Sequence, residues 1–286
     1  MQRMHTRPAP RSPAATLPAA PDPTATLRQL RTRRRISQLE LSLRVGVSQR
    51  HLSCIETGRA RPSREMLAAL LDALDAPLAE RNDVLLAAGY APAYARRALA
   101  DADMAPVRHA LAHLLAAHDP APALVMDDSW NLLQGNRGAQ ALLGLLGVPA
   151  AALAPGPAGG LNFLRALLAP GGLAGALLNA DAVCAEVWQR AQREAVHSAA
   201  LRAIVDELRP QLPRRLASPA LARPAAPLLE TALRTTGGNT LRFYSAFTTF
   251  GAPLDVTAAS LRVEHFFPAD EATRQHMATA VAALPA

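Results

Sequence analysis

The chain has 286 residues, of which half are hydrophobic, and it carries 30 basic residues against 23 carboxylates. This length is long for one domain and comfortable for two, and the apolar content is enough for a sizeable core. The two cysteines, Cys54 and Cys184, exclude a disulfide framework, and prolines that interrupt the Ala- and Leu-rich stretch at 139–161 exclude a membrane span, so the sequence predicts a reducing, cytoplasmic location.

The first 25 residues contain six prolines and few large apolar side chains. They lack the continuous apolar segment that a signal peptide requires. Proline-rich segments without apolar anchors do not build a packed core. We therefore predict a disordered basic arm over residues 1–25.

Positive charge is concentrated at the N-terminal end. Residues 1–64 carry 13 arginines and three carboxylates, whereas the residues beyond 100 carry 14 arginines and 15 carboxylates. An arginine-rich genome would explain a high isoelectric point, but it would not confine the excess to one region. The distribution indicates a module that binds a polyanion.

Residues 37–58 predict a helix, a turn and a second helix. Ser37 is suited to cap the first helix, whose apolar positions are Leu39, Leu41 and Leu43. Gly46 allows a tight turn, and the second helix then begins after a serine at position 48.

The second of these helices is predicted to present polar side chains outward. Leu52 and Ile55 fall three residues apart and face inward, which leaves Gln49, Arg50 and Ser53 exposed near the helix start. Side chains in this position reach base edges in a major groove. The segment therefore predicts binding to a double-stranded DNA operator.

Residues 27–74 resemble the helix-turn-helix domain of the phage-repressor (Cro/C1, or XRE) family. The resemblance lies in the Arg-rich first helix, the Gln that opens the next helix and the Glu-x-Gly at 56–58. It implies that Gln38 contacts a phosphate while Gln49, Arg50 and Ser53 read bases, although Arg50 departs from the shorter polar residues often found there. The full set of predicted DNA-binding residues is Gln38, Ser48, Gln49, Arg50, Ser53, Arg59 and Arg61.

Further helices complete a five-helix domain. Ser63 is suited to cap a helix through Leu74, and Pro77 precedes a fifth helix that ends at Gly89. A linker follows to residue 98, so the domain and its linker span 26–98. Because one such domain covers little DNA, we expect a homodimer on two half-sites.

The pattern changes in the second half of the chain, where strands bracket helices. This order predicts an α+β domain. Strands are predicted at 123–126, 130–133, 241–250 and 261–267, and helices at 106–118, 138–146, 161–168 and 181–209. Residues 269–286 are predicted to be a C-terminal tail.

The stretch at 125–139 resembles the ligand-binding domain of MmyB-like transcription regulators, which follows an XRE-type helix-turn-helix. The resemblance covers residues 105–268 and implies a PAS-like α/β sandwich with an antiparallel sheet. Two motifs carry it, the first with Trp130, Asn131 and Asn136 and the second with Asn162, Phe163 and Arg165. The Pro- and Ala-rich segment at 218–227 departs from the family, because it has no Trp where an aromatic is expected.

PAS-like sheets commonly hold a small molecule between the sheet and the helices. We predict a small, largely apolar, fatty-acid-like ligand lined by aromatic side chains, with its polar head anchored by an amide or an arginine. The alternative is that the aromatic residues belong to an ordinary core. The predicted lining residues are Trp130, Phe163, Trp188, Phe243 and Phe247, and the predicted anchors are Asn131, Asn136 and Arg165.

Catalytic and metal-binding motifs are not evident in the sequence. His109 and His113 lie four residues apart, a spacing that suits a metal, but no third ligand accompanies them and surface histidines are the favoured interpretation. We predict no enzyme activity, no metal and no cofactor. Two functions stay open: a ligand-responsive transcription factor, or a DNA-binding protein whose second domain dimerises or binds a partner.

Overall fold

The computed structural model describes residues 23–149, 160–213, 216 and 227–285. It divides into two compact units, of which one ends at Ala93 and the other begins at Tyr94; residues Pro77–Ala79 group with the second. Most of the predicted basic arm lies outside the described residues. Its last three positions open the first helix instead, because Pro23 is accommodated in a first helical turn.

The first unit consists of five α-helices, as predicted. Serine side chains at three of the helix starts accept a backbone N–H three residues on, which satisfies a donor that has no partner inside the helix. Gly46 has a φ of 75° and makes the turn between the second and third helices. The helices are α1 Pro23–Arg33, α2 Gln38–Val45, α3 Gln49–Glu56, α4 Arg64–Ala73 and α5 Leu78–Ala87.

One core of leucines, with Ile55 and Val84, holds these helices together. Of the three leucines of α2, only Leu41 is buried, whereas Leu39 and Leu43 are 53% and 72% exposed. With 3.6 residues per turn, positions 39 and 43 share one face of the helix and position 41 lies on the opposite face. Alternating leucines therefore cannot all enter the same core.

The second unit contains a five-stranded antiparallel sheet in the order β2-β1-β5-β4-β3. The central pairing joins β4 and β5, with Ala246 opposite His265. The sequence predicted four of the strands and missed β3, a four-residue edge strand. The strands are β1 Ala123–Met126, β2 Leu132–Gly135, β3 Thr231–Arg234, β4 Thr240–Thr249 and β5 Arg262–Pro268.

Helices cover both faces of the sheet. On one face α6 packs through Leu111 and Leu115 onto Val125 and Val263. On the other face the main core joins the sheet to α7–α10. The helices of this unit are α6 Ala105–His118, α7 Arg137–Leu145, α8 Phe163–Leu168, α9 Ala180–Glu194, α10 Ala199–Leu208, α11 Val256–Ser260 and α12 Glu271–Ala282.

Two predicted boundaries are corrected. The helix predicted at 181–209 is two helices, and Ser198 caps the second by accepting the N–H of Leu201. Residues predicted as a linker as far as 98 belong to the second unit, where the carbonyl of Ala95 accepts the N–H of Val256 at 2.8 Å. Arg97 also pairs there with Asp255. The linker prediction failed because the residues that contact this segment, Asp255 and Val256, are far from it in the sequence.

The predicted C-terminal tail is a helix, α12, that packs on α7. Asp270 caps it, and Met277 is fully buried in the main core. Arg137 at the start of α7 donates hydrogen bonds to the carbonyls of Val281 and Leu284. The buried methionine and these bonds tie the segment to the domain.

No helix within the described residues is long and apolar enough to cross a membrane. In that same part of the chain, no three His, Cys, Asp or Glu side chains are grouped closely enough to hold a metal ion.

Candidate functional site

The N-terminal end of α3 is the first candidate site. Ser48 caps it by accepting the N–H of His51 at 3.1 Å, so the helix begins with Gln49. Gln49 and Arg50 are exposed, Ser53 is half-buried, and no described residue hydrogen-bonds to the side chain of Gln49 or Arg50. Leu52 and Ile55 are fully buried, as predicted. The outward face of α3 is therefore available to a partner.

A buried ion pair fixes α3 against α1 and α2. The Arg31 guanidinium donates to both carboxylate oxygens of Glu56, at 2.7 and 2.9 Å, and the Gln38 side-chain amide donates to the same carboxylate at 2.8 Å. Burial alone would raise the pKa of Glu56, but the hydrogen bonds from Arg31 and Gln38 outweigh it and hold the pKa below its usual value. Sequence reasoning noted the Arg-rich first helix and the Glu-x-Gly motif at 56–58, but it did not indicate that Arg31 and Glu56 pair.

The structure places the remaining predicted DNA-binding residues in different surroundings. Gln38 is half-buried, and its amide nitrogen is engaged by Glu56, so its predicted phosphate contact stays a prediction. Arg59 is exposed in the loop after α3. Arg61 is exposed too, but it donates to the carbonyl of Ala88 at 3.2 Å and lies over the Tyr90 ring.

The second candidate site is a cavity of about 250 Å³ inside the second unit, named here the apolar cavity. It lies between the sheet and helices α7–α9. Its walls are mostly apolar and include Leu124, Met126, Leu142, Leu143, Leu167, Val183, Leu233 and Phe266. A concave, mostly apolar space with a few polar groups is the usual form of a small-molecule site.

Three of the five predicted lining aromatics border the apolar cavity: Trp130, Phe163 and Phe247. The other two are corrected. Trp188 and Phe243 are buried in the main core, where Phe243 packs edge-on against Phe266. Their burial serves packing, which is the commoner role of a large aromatic.

None of the three predicted polar anchors lines the apolar cavity, so this prediction is corrected too. The Asn131 amide donates to Asp127, and Arg165 forms an ion pair with Glu207 at 2.6 Å. Both polar groups therefore have partners within the fold, with the Asn131 amide half-buried and the Arg165–Glu207 pair exposed.

Asn136 holds together the start of α7. Its side-chain oxygen accepts the N–H groups of Ala123 and Ala139, at 2.9 and 2.8 Å. A side chain at Gly138 would place its Cβ 2.5 Å from the carbonyl oxygen of Ala121. The motif that carried the sequence resemblance therefore fixes the strand-to-helix connection.

Trp130 is positioned by an unusual backbone conformation. Its φ is 66°, in the left-handed region that non-glycine residues rarely occupy. The side chain of Asp127 accepts the N–H groups of Ser129 and Asn131, each at 2.9 Å, and so stabilises the turn. This turn delays β2 until Leu132, two residues later than predicted, and holds the indole in the cavity wall.

Charged residues that the sequence did not indicate gather beside the Trp130 ring. Glu194 on α9 accepts from Arg190 at 2.8 Å, from Arg262 at 2.6 Å and from the Trp130 indole N–H at 2.7 Å. The centre of the Arg190 guanidinium lies 3.6 Å from the centre of the Phe247 ring. The centre of the Arg262 guanidinium lies 4.6 Å from the centre of the Trp130 ring. Cation–π attraction stabilises both stacks.

Glu264 on β5 is a buried carboxyl in the wall of the apolar cavity. Burial raises its pKa to about 7, against the opposing charges of Arg190 and Arg262 and a hydrogen bond with Ser245. The cavity thus has apolar walls and a polar end that contains Arg190 and a carboxyl able to exchange a proton near neutral pH. Burial among core residues leaves a charge without the compensation of water, which is why this carboxyl prefers to be neutral.

Comparisons with known proteins agree with the division of the chain into two units. Residues 24–84 match the family described as a helix-turn-helix domain, and residues 107–280 match the MmyB-like transcription regulator ligand binding domain. No curated protein matches the chain.

One solved structure, titled "Structure of an RNA-binding Light-Oxygen-Voltage Receptor", is similar at 14% identity with a TM-score of 0.28. The match covers 93% of this chain and 65% of that one, so this chain spans less than two thirds of its length. A likeness at this level carries no argument about function. The MmyB-like match, in contrast, spans more than half of the chain, and the protein therefore belongs to the MmyB-like transcription regulators, with a helix-turn-helix DNA-binding domain ahead of the family's ligand-binding domain.

Proposed function

We propose that this protein is a one-component, ligand-responsive transcription factor of the XRE (Cro/C1) type. The first domain binds a double-stranded DNA operator, and the PAS-like second domain binds a small, largely apolar, fatty-acid-like molecule that changes DNA affinity. The protein acts by binding in the cytoplasm and catalyses no reaction. The observation that carries the ligand half is the apolar cavity with one polar end.

The exposed start of α3 supports the DNA half. Gln49 and Arg50 occupy its first two positions, and their exposed side chains form no hydrogen bond or ion pair with a described residue. Arg pairs with guanine and Gln with adenine through two hydrogen bonds in the major groove. The ten positive charges in excess over residues 1–64 supply the sequence-independent attraction to phosphates.

The apolar cavity supports the ligand half over the alternative of a partner-binding domain. A domain that only dimerised would have no need of a deep apolar pocket between sheet and helices, and apolar walls without partner atoms lose packing contacts. Alkyl or aryl groups fill the walls made by residues such as Leu142, Leu143 and Val183. Arg190 at the polar end suits an acidic head group.

A homodimer follows from the size of the DNA-binding unit. A single helix-turn-helix contacts too little DNA for useful specificity, and two copies on half-sites about one helical turn apart overcome this. Ligand binding then changes operator affinity when it favours one arrangement of the two copies. Such coupling is typically about 5- to 150-fold, and it is reciprocal between ligand and DNA.

The proposal is tested with the full-length chain. An operator is selected from random DNA, and its affinity is measured by fluorescence anisotropy with and without decanoate. We expect operator affinity to change at least fivefold, and the operator to change decanoate affinity by the same factor. Selection of no operator contradicts the DNA half. Failure of decanoate, decanol and an aromatic acid to bind in calorimetry contradicts the ligand half and favours the partner-binding alternative.

A further inference from the structure

We propose that Glu264 selects the ligand by its charge: the apolar cavity binds an apolar monocarboxylic acid as a carboxylate, beside Arg190, and takes up one proton, which stays on Glu264 and forms a hydrogen bond to the bound head group. This inference rests on the proposed ligand-sensing function. It assigns to Glu264 the choice of the head group that is bound.

Arg190 offers the hydrogen-bond donors for an anion. It lines the apolar cavity, and its Nε donates to Glu194. Its two Nη groups have no acceptor among the residues that the structure describes. The Phe247 ring under the guanidinium fixes its plane, so the donors are oriented before a ligand arrives. A guanidinium held in this way suits a planar carboxylate.

Arg262 lies beside the polar end, outside the residues that line the apolar cavity, and has hydrogen-bond donors without an acceptor among the described residues. Its Nη1 donates to Glu194, but its Nε and Nη2 atoms are buried and have no hydrogen-bond partner in the described part of the chain. Buried donors are nearly always satisfied. Two guanidinium groups thus share the carboxylate of Glu194, and the positive charge around Trp130 is only partly compensated.

The charges that face Glu264 come from two elements. Helix α9 contributes Arg190 and Glu194, and β5 itself contributes Arg262. Strand β4 contributes the hydroxyl of Ser245, and β1 over residues 123–126 is apolar. His118 and His265 pack edge to face on the α6 side of the sheet, since neighbouring strand residues point to opposite faces.

Counting these charges decides the state of Glu264 in the complex. An ionised Glu264 and a bound carboxylate would place three negative groups, with Glu194, against two arginines. With a protonated Glu264, two negative groups, Glu194 and the bound carboxylate, face two arginines. The protonated carboxyl also supplies an O–H donor to the ligand. Glu186, the other carboxylate at the apolar cavity, has a 39% exposed side chain and pairs with Arg193, so solvent screens it.

The cost of this protonation is small near neutral pH. Burial already raises the pKa of Glu264 to about 7 before any ligand is bound. A bound carboxylate raises that pKa further by like-charge repulsion and by accepting the O–H hydrogen bond. Binding of the acid therefore takes up a proton at and above pH 7, whereas binding of a neutral molecule does not.

The test uses calorimetry on the full-length protein at pH 6 and pH 8, with decanoate, decanol and decylamine as probes. We expect decanoate to bind about tenfold more weakly at pH 8 than at pH 6, because above the Glu264 pKa each pH unit makes the required proton tenfold scarcer. Decanol affinity should change less than twofold. Repeating decanoate binding at pH 8 in buffers of different ionisation enthalpy should show uptake of close to one proton.

Glu264→Gln provides the variant, because a glutamine keeps the shape and stays neutral at both pH values. We expect it to bind decanoate with wild-type pH 6 affinity at pH 6 and pH 8 alike. The matched control is Glu207→Gln, on the surface at Arg165, which should keep the tenfold pH dependence. If Glu264→Gln does not fold, the proton count on the unmodified protein decides the question.

The outcomes separate this inference from the function on which it rests. Equal decanoate affinity at both pH values, or no proton uptake, overturns the role of Glu264 while leaving ligand sensing intact. If decylamine binds more tightly than decanoate, and decylamine affinity rises with pH, the Glu264 carboxylate recognises a cationic head group. That result also overturns the proposed role of Glu264. Failure of all three probes to bind at either pH overturns the ligand-sensing function itself.

Discussion

The two domains use charge in opposite places. In the helix-turn-helix unit the Arg31–Glu56 pair is internal and structural, while the groups suited to contact DNA, such as Arg50, lie on the surface. In the ligand-binding unit the surface pairs, such as Arg165–Glu207, are structural, and the charged groups suited to recognition lie at the end of an internal cavity. A polyanion is read from outside, whereas an apolar molecule must be enclosed.

This difference sets how far each domain tolerates change. Exposed side chains on α3 contribute little to folding, so their loss alters DNA binding alone. Glu264, in the wall of the apolar cavity, is suited to affect both folding and binding, because burial couples its ionisation to the stability of the domain. The predictions below test this contrast, from the largest expected effect to the smallest.

The largest effect is expected for Arg31→Met. The change leaves the Glu56 carboxylate buried with Gln38 as its remaining partner, and breaking a buried pair in this way typically costs about 3 to 5 kcal/mol. Both tryptophans, Trp130 and Trp188, lie in the second unit. Urea unfolding followed by far-UV circular dichroism should therefore show a transition at lower urea concentration in the variant. The transition followed by tryptophan fluorescence, which reports the second unit, should not change.

The control for this prediction is Arg44→Met, which removes the exposed pair between Arg44 and Glu40 on α2. Exposed pairs of this kind contribute at most about 1 kcal/mol. Equal losses of stability for the two variants would show that the Arg31–Glu56 pair has no special role in fixing α3.

The next effect is the pH dependence of the second domain. The folded state raises the pKa of Glu264 from 4.5 to about 7, so folded protein binds more protons than unfolded protein between these values. The Glu264 contribution to stability is complete below pH 4.5, falls as pH rises to 7 and is level above that. Its size is about 3 kcal/mol.

Urea unfolding followed by tryptophan fluorescence at pH 5 and pH 7.5 measures this contribution. We expect wild type to lose stability relative to Glu264→Gln over this interval, since the glutamine does not titrate. Comparing the two proteins cancels the other carboxylates, including Glu194, whose pKa is lowered by Arg262 and Arg190 although burial opposes this. A constant difference between the two proteins at both pH values would contradict the prediction.

The smallest effect is expected at the DNA surface. Arg50→Ala and Gln49→Ala should each weaken binding to the selected operator by about 1 to 3 kcal/mol and bind scrambled DNA with a smaller loss, because a base contact is lost. Neither change should alter the unfolding transition of the first domain by more than about 0.5 kcal/mol. Anisotropy titrations on both DNAs give the measurement.

Gln38→Ala tests the predicted phosphate contact by comparing operator with scrambled DNA. Loss of a phosphate contact should weaken binding to both DNAs by the same factor. Because Gln38 also donates to Glu56, the variant should in addition lower the stability of the first domain by about 1 kcal/mol. An operator-specific loss would instead assign Gln38 to base recognition.

The sequence predicted most of the first domain because its signals are local. Ser37, Ser48 and Ser63 cap helices within three residues of themselves, and Gly46 makes its turn with its own backbone. Within α2 the exposed Leu39 and Leu43 alternate with the buried Leu41. A helical period applied to α2 alone would have separated them.

In the second domain the missed features differ in kind. Helix α12 carried a local signal, since Asp270 accepts the N–H of Thr273 in an ordinary helix cap. Strand β3 carried little, because four residues beside a Pro- and Ala-rich segment have no distinctive period and are strand only through their pairing with β4. The first could have been predicted from the sequence, and the second could not.

The sequence by itself determined the order of the two domains, the helix-turn-helix with its outward-facing Gln49 and Arg50, and the kinship of the second domain. These follow from short-range spacing and from motifs. Only the tertiary structure decided which aromatics border the cavity and which fill the core, and which charges meet at its polar end. Arg190 and Glu264 lie on α9 and β5, far apart in the chain, and packing alone brings them to one wall and removes the water that would otherwise keep Glu264 ionised.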